Sequence, residues 1–250
     1  MINYEFPLNE KIRTLLRLED LYGRAQYFAG QSGPEEHHVA LISLFEILDV
    51  ASRADLKADL MQELERKKHH LESLRSNPSV SEAALTGVLG DIEQATSNLF
   101  LSSGKTGQEL RENEWLMSIR QRSGIPGGVC EFDLPSYHFW LNQSAERRKV
   151  DLEEWLSPFL PIRNGVAIIL RLLRESGKTS SQVAQQGVYQ QMLAGRLAQL
   201  LRIRLDSRYE CVPEISANKY ALNVRFTSAL ESQRRTSTED VDFELTFCHL

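Results

Sequence analysis

The sequence predicts an α+β fold, with a mostly helical domain and an antiparallel β-sheet domain built largely from the C-terminal third. Three observations carry this. Through the first two thirds, apolar residues recur at helical spacing, as in Val39, Ile42, Phe45 and Leu48. Beyond about residue 178 they alternate instead: Leu201, Ile203 and Leu205 are separated by Arg202 and Arg204. Side chains in a strand point to opposite faces in turn, so this period of two marks half-buried strands. Between two heptad-like runs lies the helix breaker Asn77-Pro78-Ser79, which predicts an antiparallel helical hairpin.

Taken in order, Asn9 is the expected N-cap of a first helix reaching about Phe28, with Ile12, Leu15, Leu16 and Leu18 as its apolar positions. Gly33-Pro34-Glu35-Glu36 starts a second, with proline in the first turn and carboxylates at the positive end of the dipole. The hairpin carries Leu60, Leu64, Leu71 and Leu74 on one arm and Leu85, Val88, Ile92, Ala95 and Leu99 on the other. Lys67, Lys68, His69 and His70 are assigned mostly to its solvated side. Further helices are expected over 107–122, 145–156 and 159–176, the last ended by Gly177. The polar stretch 178–186 reads as a boundary. Strands are expected around 201–205, 222–226 and 241–247, with 129–134, 4–6 and 188–190 as candidate additions to the same sheet. The expected division is a helical domain over 8–178, with 125–140 contributing to the β domain, and a β-strand domain over 179–250 joined by residues 2–6. In that arrangement the helical domain is an insertion.

Composition narrows the function. With 250 residues, 42% hydrophobic and 25% charged, the chain matches an ordinary globular protein able to bury a sizeable core. The longest apolar run, Val166 to Leu173, is interrupted by Arg171, so no membrane insertion is expected, and the first residues lack a secretory pattern. Cys130, Cys211 and Cys248 are odd in number and far apart, consistent with buried thiols in a reducing cytosol. A net charge of −5 argues against a general nucleic-acid coat.

Motifs for catalysis are missing where chemistry would need them. Gly104-Lys105-Thr106 and Gly177-Lys178-Thr179 have Leu99 and Leu172 where a phosphate loop requires its upstream glycine, so both read as turns at helix ends. The pairs His37-His38 and His69-His70 cannot chelate from one helix, because adjacent residues point about 100° apart. No Gly-x-Ser-x-Gly elbow is present. No enzymatic activity, metal or cofactor is expected.

Cationic helix faces are more informative. Arg13, Arg17 and Arg24 stand at i, i+4 and i+11 on the first helix, and Arg111, Trp115 and Arg122 repeat the spacing. Such arginines either face water with little consequence or form a row of guanidinium forks beside an aromatic. Such a row suits a short peptide bearing carboxylates and apolar anchors. Lys219 and Arg225 could complete that surface. His138, between Tyr137 and Phe139, is either a histidine bonded to the backbone or part of the pocket. An alternative from another class is a nucleic-acid adaptor using Arg147, Arg148, Arg202, Arg204 and Arg208.

Three blocks carry a resemblance. They are Pro7-Leu-Asn-Glu-Lys-Ile-Arg-Thr-Leu-Leu-Arg-Leu-Glu19, Ile125-Pro-Gly-Gly-Val-Cys-Glu-Phe-Asp-Leu-Pro-Ser-Tyr-His-Phe-Trp140, and Arg225-Phe226 with Asp242-Phe243-Glu244-Leu245. Together they resemble the Z-ring-associated protein D family (ZapD). The resemblance implies a cytoplasmic, mid-cell division protein acting in septation. It implies a homodimer that binds the C-terminal tail of the tubulin-like GTPase FtsZ and bundles its filaments. Carried over by position, it implicates Arg13 and Arg17 in the first block, Arg120, Arg122 and His138 in the centre, Arg225 in the last, and Arg111 in the weaker match Leu110-Arg-Glu. The chain departs from the family pattern at 182–199 and in the polar loop 232–238.

Overall fold

The computed structural model describes every residue except 54, 79, 103, 194–197, 230–234 and 250. Part of the divergent stretch 182–199 and of the loop 232–238 therefore lies outside the described residues. The chain divides into two compact units, one comprising residues 1–15 and 170–250 and the other residues 16–169. The division falls inside helix α1 (Glu10–Ala29) and inside helix α9 (Leu160–Glu175).

The helical unit follows local rules closely. The Asn9 carboxamide accepts from the Ile12 amide at 2.8 Å, capping α1 as its sequence predicts. Helix α2 (Pro34–Ala51) starts on Pro34 and buries Leu41, Leu44, Ile47 and Leu48. Helices α3 (Leu56–Ser73) and α4 (Glu82–Leu101) form the predicted hairpin, with Ser81 capping the second arm. Its seam holds one residue that the sequence reading places in solvent. Lys67 is only 5% exposed and fills the heptad position between Leu64 and Leu71. Burial holds its ammonium down at about 8.

The helix expected over 107–122 is two. The Asn113 side chain accepts from the Leu116 amide at 3.0 Å, ending α5 (Gln108–Glu112) and capping α6 (Glu114–Ser123). Residues 129–134, expected as a strand, are successive turns. Cys130 accepts from both Asp133 and Leu134 amides, so the backbone is satisfied locally and needs no partner strand. Cys130 is exposed, contrary to expectation, whereas Cys211 and Cys248 are buried free thiols. Helix α7 (Pro135–Leu141) starts on Pro135, and α8 (Ala145–Leu156) is capped by Ser144 and joined to α9 by a 3-10 turn. The continuous helical stretch Ala145–Glu175 is long and apolar enough to cross a membrane by length and composition. Leu152, Phe159, Ile162, Val166 and Ile169 are nonetheless buried, as in a core helix of a folded protein.

The other unit is a two-layer β structure. Strands β1 (Ile2–Pro7), β4 (Leu200–Leu205), β7 (Val241–Cys248) and β2 (Lys178–Ala184) form one antiparallel sheet in the order β1-β4-β7-β2. Strands β3 (Val188–Met192), β6 (Ala221–Ser228) and β5 (Cys211–Ala217) form a second, ordered β3-β6-β5. The alternating apolar residues of both sheets, Leu201, Ile203, Leu222, Val224, Phe226, Phe243 and Leu245, meet in one core. Phe226 and Phe243 pack with ring centroids 5.0 Å apart. The segment read as a polar boundary is β2 itself, paired along its length with β7. Between β2 and β3 the chain reverses through Gln186 and Gly187, both at positive φ, the backbone shape that matches the twist of a two-residue hairpin turn. Glu5 on β1 accepts a two-pronged pair from Arg174 at 2.7 and 2.8 Å, with Arg202 at 3.2 Å, tying α9 to β1 and β4.

Candidate functional site

An aromatic cluster in the helical unit positions the central motif. Trp115 on α6, Tyr137 and Trp140 on α7, and Trp155 on α8 pack with ring centroids 5.6 to 6.2 Å apart. Three of the four have their polar edges bonded. Trp140 donates to Asp151 at 2.9 Å, Trp115 donates to Ser136 at 3.1 Å, and the Tyr137 hydroxyl lies 2.7 Å from His38 Nδ1. Burial and the nearby Glu35 charge push the Tyr137 hydroxyl above its ordinary range, while burial lowers His38. The phenol therefore stays neutral and α7 is anchored on its inner face.

The outward side of this anchor is a charged and apolar surface. Arg122, at the end of α6, pairs with Asp133 at 2.8 Å, which ties the two ends of the 124–134 loop together. Phe132 is 80% exposed and Phe139 68%, and Ile125 is exposed as well. His138 is exposed, 3.6 Å from the Glu131 carboxylate and 3.3 Å from the Asn142 amide nitrogen. An incoming carboxylate can replace Asp133 at the Arg122 fork, and aromatic faces beside it can receive apolar side chains. The sequence reading missed Ile125, Phe132 and Asp133, because Val-Cys-Glu-Phe-Asp-Leu alternates like a strand with Phe132 on its buried face.

The other expected site residues divide by role. Arg17 is exposed on α1 and has no ion pair among the described residues. Its expected companion Arg24 is held by Asp20 at 2.9 Å and Glu46 at 3.2 Å. Arg111 donates to the Leu48 carbonyl at 3.2 Å, near the end of α2, and Arg120 pairs with Asp49. Both therefore brace α2. In the β-containing unit, Arg13 pairs with Glu10 at 3.1 Å, and Arg225 stands exposed on β6 opposite Glu214 of β5. Lys219 lies over the Tyr220 ring.

The basic residues of the nucleic-acid alternative are engaged with carboxylates or buried. Arg202, Arg204 and Arg208 meet Glu5, Glu244 and Asp242, and Arg147 meets Asp151. Arg148 is buried, donating to His37 Nδ1, Leu141, Gln143 and Ser32.

Comparison with known proteins places these features. The family model for ZapD, described as a cell division protein, matches residues 16–225. The chain belongs to the ZapD family. Curated ZapD cell division proteins are similar over the whole length. Those of Aromatoleum aromaticum and an Azoarcus species are each 58% identical over 100% of this chain, covering 98% and 100% of their own lengths. That of Chromobacterium violaceum is 56% identical over 99% of both chains. The span matched to ZapD contains Arg17, Arg111, Arg120, Arg122, His138 and Arg225, while Arg13 lies just before it. Membership in the ZapD family makes this a cell division protein.

Proposed function

We propose that this chain is a non-enzymatic, cytoplasmic division factor. It binds the C-terminal tail of FtsZ through the exposed α6–α7 surface and, as a homodimer, bridges FtsZ filaments into bundles at mid-cell. The observation that supports this best is the pairing of Arg122 with Asp133 amid exposed Ile125, Phe132 and Phe139, within a chain of the ZapD family. A short acidic peptide with apolar anchors complements that composition. Arg17, exposed and without an ion pair among the described residues, supplies a second cation. His138 is a peripheral contributor, whereas Arg111 and Arg120 act by bracing α2; Arg13 and Arg225 belong to the β-containing unit and are not assigned to this surface. No cofactor is needed, since the work is mechanical.

A two-fold dimer displays two identical surfaces. A filament presents many tails, so rebinding at high effective concentration strengthens a weak single contact. Binding of a synthetic FtsZ tail peptide tests the site. Arg17→Glu and Arg122→Glu are each expected to weaken it about tenfold, or about 1.4 kcal/mol. Full affinity in both variants would dismiss the assignment. A monomeric variant is expected to bind the peptide but not to co-sediment filaments as bundles.

A further inference from the structure

We infer that the stretch Glu131-Phe132-Asp133 is a built-in competitor for the FtsZ tail, a strap that fills the Arg122 fork until a tail carboxylate displaces it; this rests on the binding surface proposed above. The stretch has the composition expected of the ligand. An apolar side chain is flanked by two carboxylates, and each carboxylate lies against a cation assigned to the surface. Arg122 donates to Asp133 at 2.8 Å. Glu131 lies 3.6 Å from His138 Nε2 and pairs with it when the imidazole is protonated.

Phe132 shows what holds the stretch in place. A segment seated by apolar packing buries its largest side chain, because that burial is the main stabilising term open to it. Phe132 instead stands in solvent. The stretch is pinned on either side. Gly128 is buried, and a Cβ there would lie 2.5 Å from the Arg122 carbonyl, while Leu134 is buried beyond the other end. Between these pins Cys130, Glu131 and Phe132 are exposed and Asp133 partly so. The Asp133 and Leu134 amides both donate to the Cys130 carbonyl, so the turn closes on its own backbone. Moving the Asp133 carboxylate off Arg122 therefore breaks one partly exposed ion pair and leaves both pins seated. Pairs of that kind are weak. The strap fills the fork and still yields it.

The consequence is a threshold. A ligand that needs a free fork binds with an affinity reduced by the fraction of chains in which the fork is free. A single tail is then held less tightly than the guanidinium alone would hold it. The many tails of a filament restore occupancy through their high effective concentration. Asp133 thereby biases the surface toward polymer and away from lone subunits.

The test is binding of a fluorescently labelled synthetic FtsZ tail peptide, read by anisotropy, to full-length wild type, Asp133→Asn, Arg122→Gln and the variant carrying both changes. Asparagine keeps the size and an acceptor but loses the charge, so thermal unfolding is expected to be unchanged. Asp133→Asn is expected to bind the peptide about fivefold more tightly than wild type. The same change in the Arg122→Gln background is expected to bring no gain, because no guanidinium is left to release. An equal gain in both backgrounds would reduce Asp133 to a general charge effect and overturn the strap. Unchanged or weaker binding by Asp133→Asn would also overturn it, making the carboxylate a brace and leaving the tail surface standing. A wild type that ignores the peptide, or full affinity in Arg122→Gln, would overturn the surface and the strap with it.

Discussion

Replacing Arg148 with methionine should be the most damaging single change in the helical unit. The guanidinium is buried and makes its contacts with neutral acceptors: His37 Nδ1 at 2.8 Å, the Leu141 and Ser32 carbonyls at 2.7 Å, and the Gln143 carbonyl. Methionine keeps the volume of the stem and loses every donor. Ser32 is exposed and can rehydrate, so its share is small. His37 is fully buried and loses its partner outright, at roughly 2 kcal/mol, and the two half-buried carbonyls lose about 1 kcal/mol each. The total is about 4 kcal/mol, in line with the roughly 3–5 kcal/mol for disrupting a buried charged network. With a urea dependence of about 2 kcal/mol per molar, the unfolding midpoint should fall by about 2 M. Arg148→Lys keeps the charge and some of the bonds and should lose about half as much. A midpoint for the methionine variant within about 0.5 M of wild type would refute this account of the network.

Three further outcomes follow from the same physics. His37 is held below its ordinary value by burial and by the Arg148 and Lys149 charges, and burial lowers His38 too. The unfolded chain therefore takes up protons first. Stability should be complete above about pH 6.5 and decline as pH falls below it, and a flat urea midpoint between about pH 7 and pH 5 would contradict this. Lys67→Leu should stabilise the hairpin by about 1–2 kcal/mol at neutral pH. It should also remove a rise in wild-type stability between pH about 8, the folded value, and about 10.4, the unfolded one, and a less stable leucine variant would refute the seam placement. Gly107→Ala should lose about 2–3 kcal/mol in thermal unfolding, because φ is +71° and a Cβ would overlap Leu48 and the Phe159 ring; an unchanged melting temperature would show that the site relaxes.

Features with a local cause were legible in the sequence. The Asn9 cap, the Pro34 start, the hairpin break and the alternation of β4, β6 and β7 all appear where the residues predict them. Elements whose cause is distant were not. Strand β5 was hidden by Pro213, which an edge strand tolerates because one side of its backbone needs no partner. Strand β2 buries only Ala184, so it owes its place to backbone pairing with β7 rather than to an apolar face. Lys67 is the exception among four polar residues expected mostly in solvent, because its heptad spacing outweighs its residue type. At the candidate site, the arginines could be named, yet what each one touches could not. Arg120 and Asp49 are 71 residues apart, and Arg111 reaches a carbonyl 63 residues away. Whether a guanidinium braces a helix or stands open to a ligand depends on such distant partners.

All three tryptophans of the chain belong to the one aromatic cluster behind α7. Intrinsic indole emission therefore reports from a single location and is silent about the β layers. Ligand docking at the neighbouring surface would be visible in that emission without any attached dye. The same signal separates collapse of the helical unit from loosening of the sheets, whose progress needs a backbone probe such as far-ultraviolet dichroism.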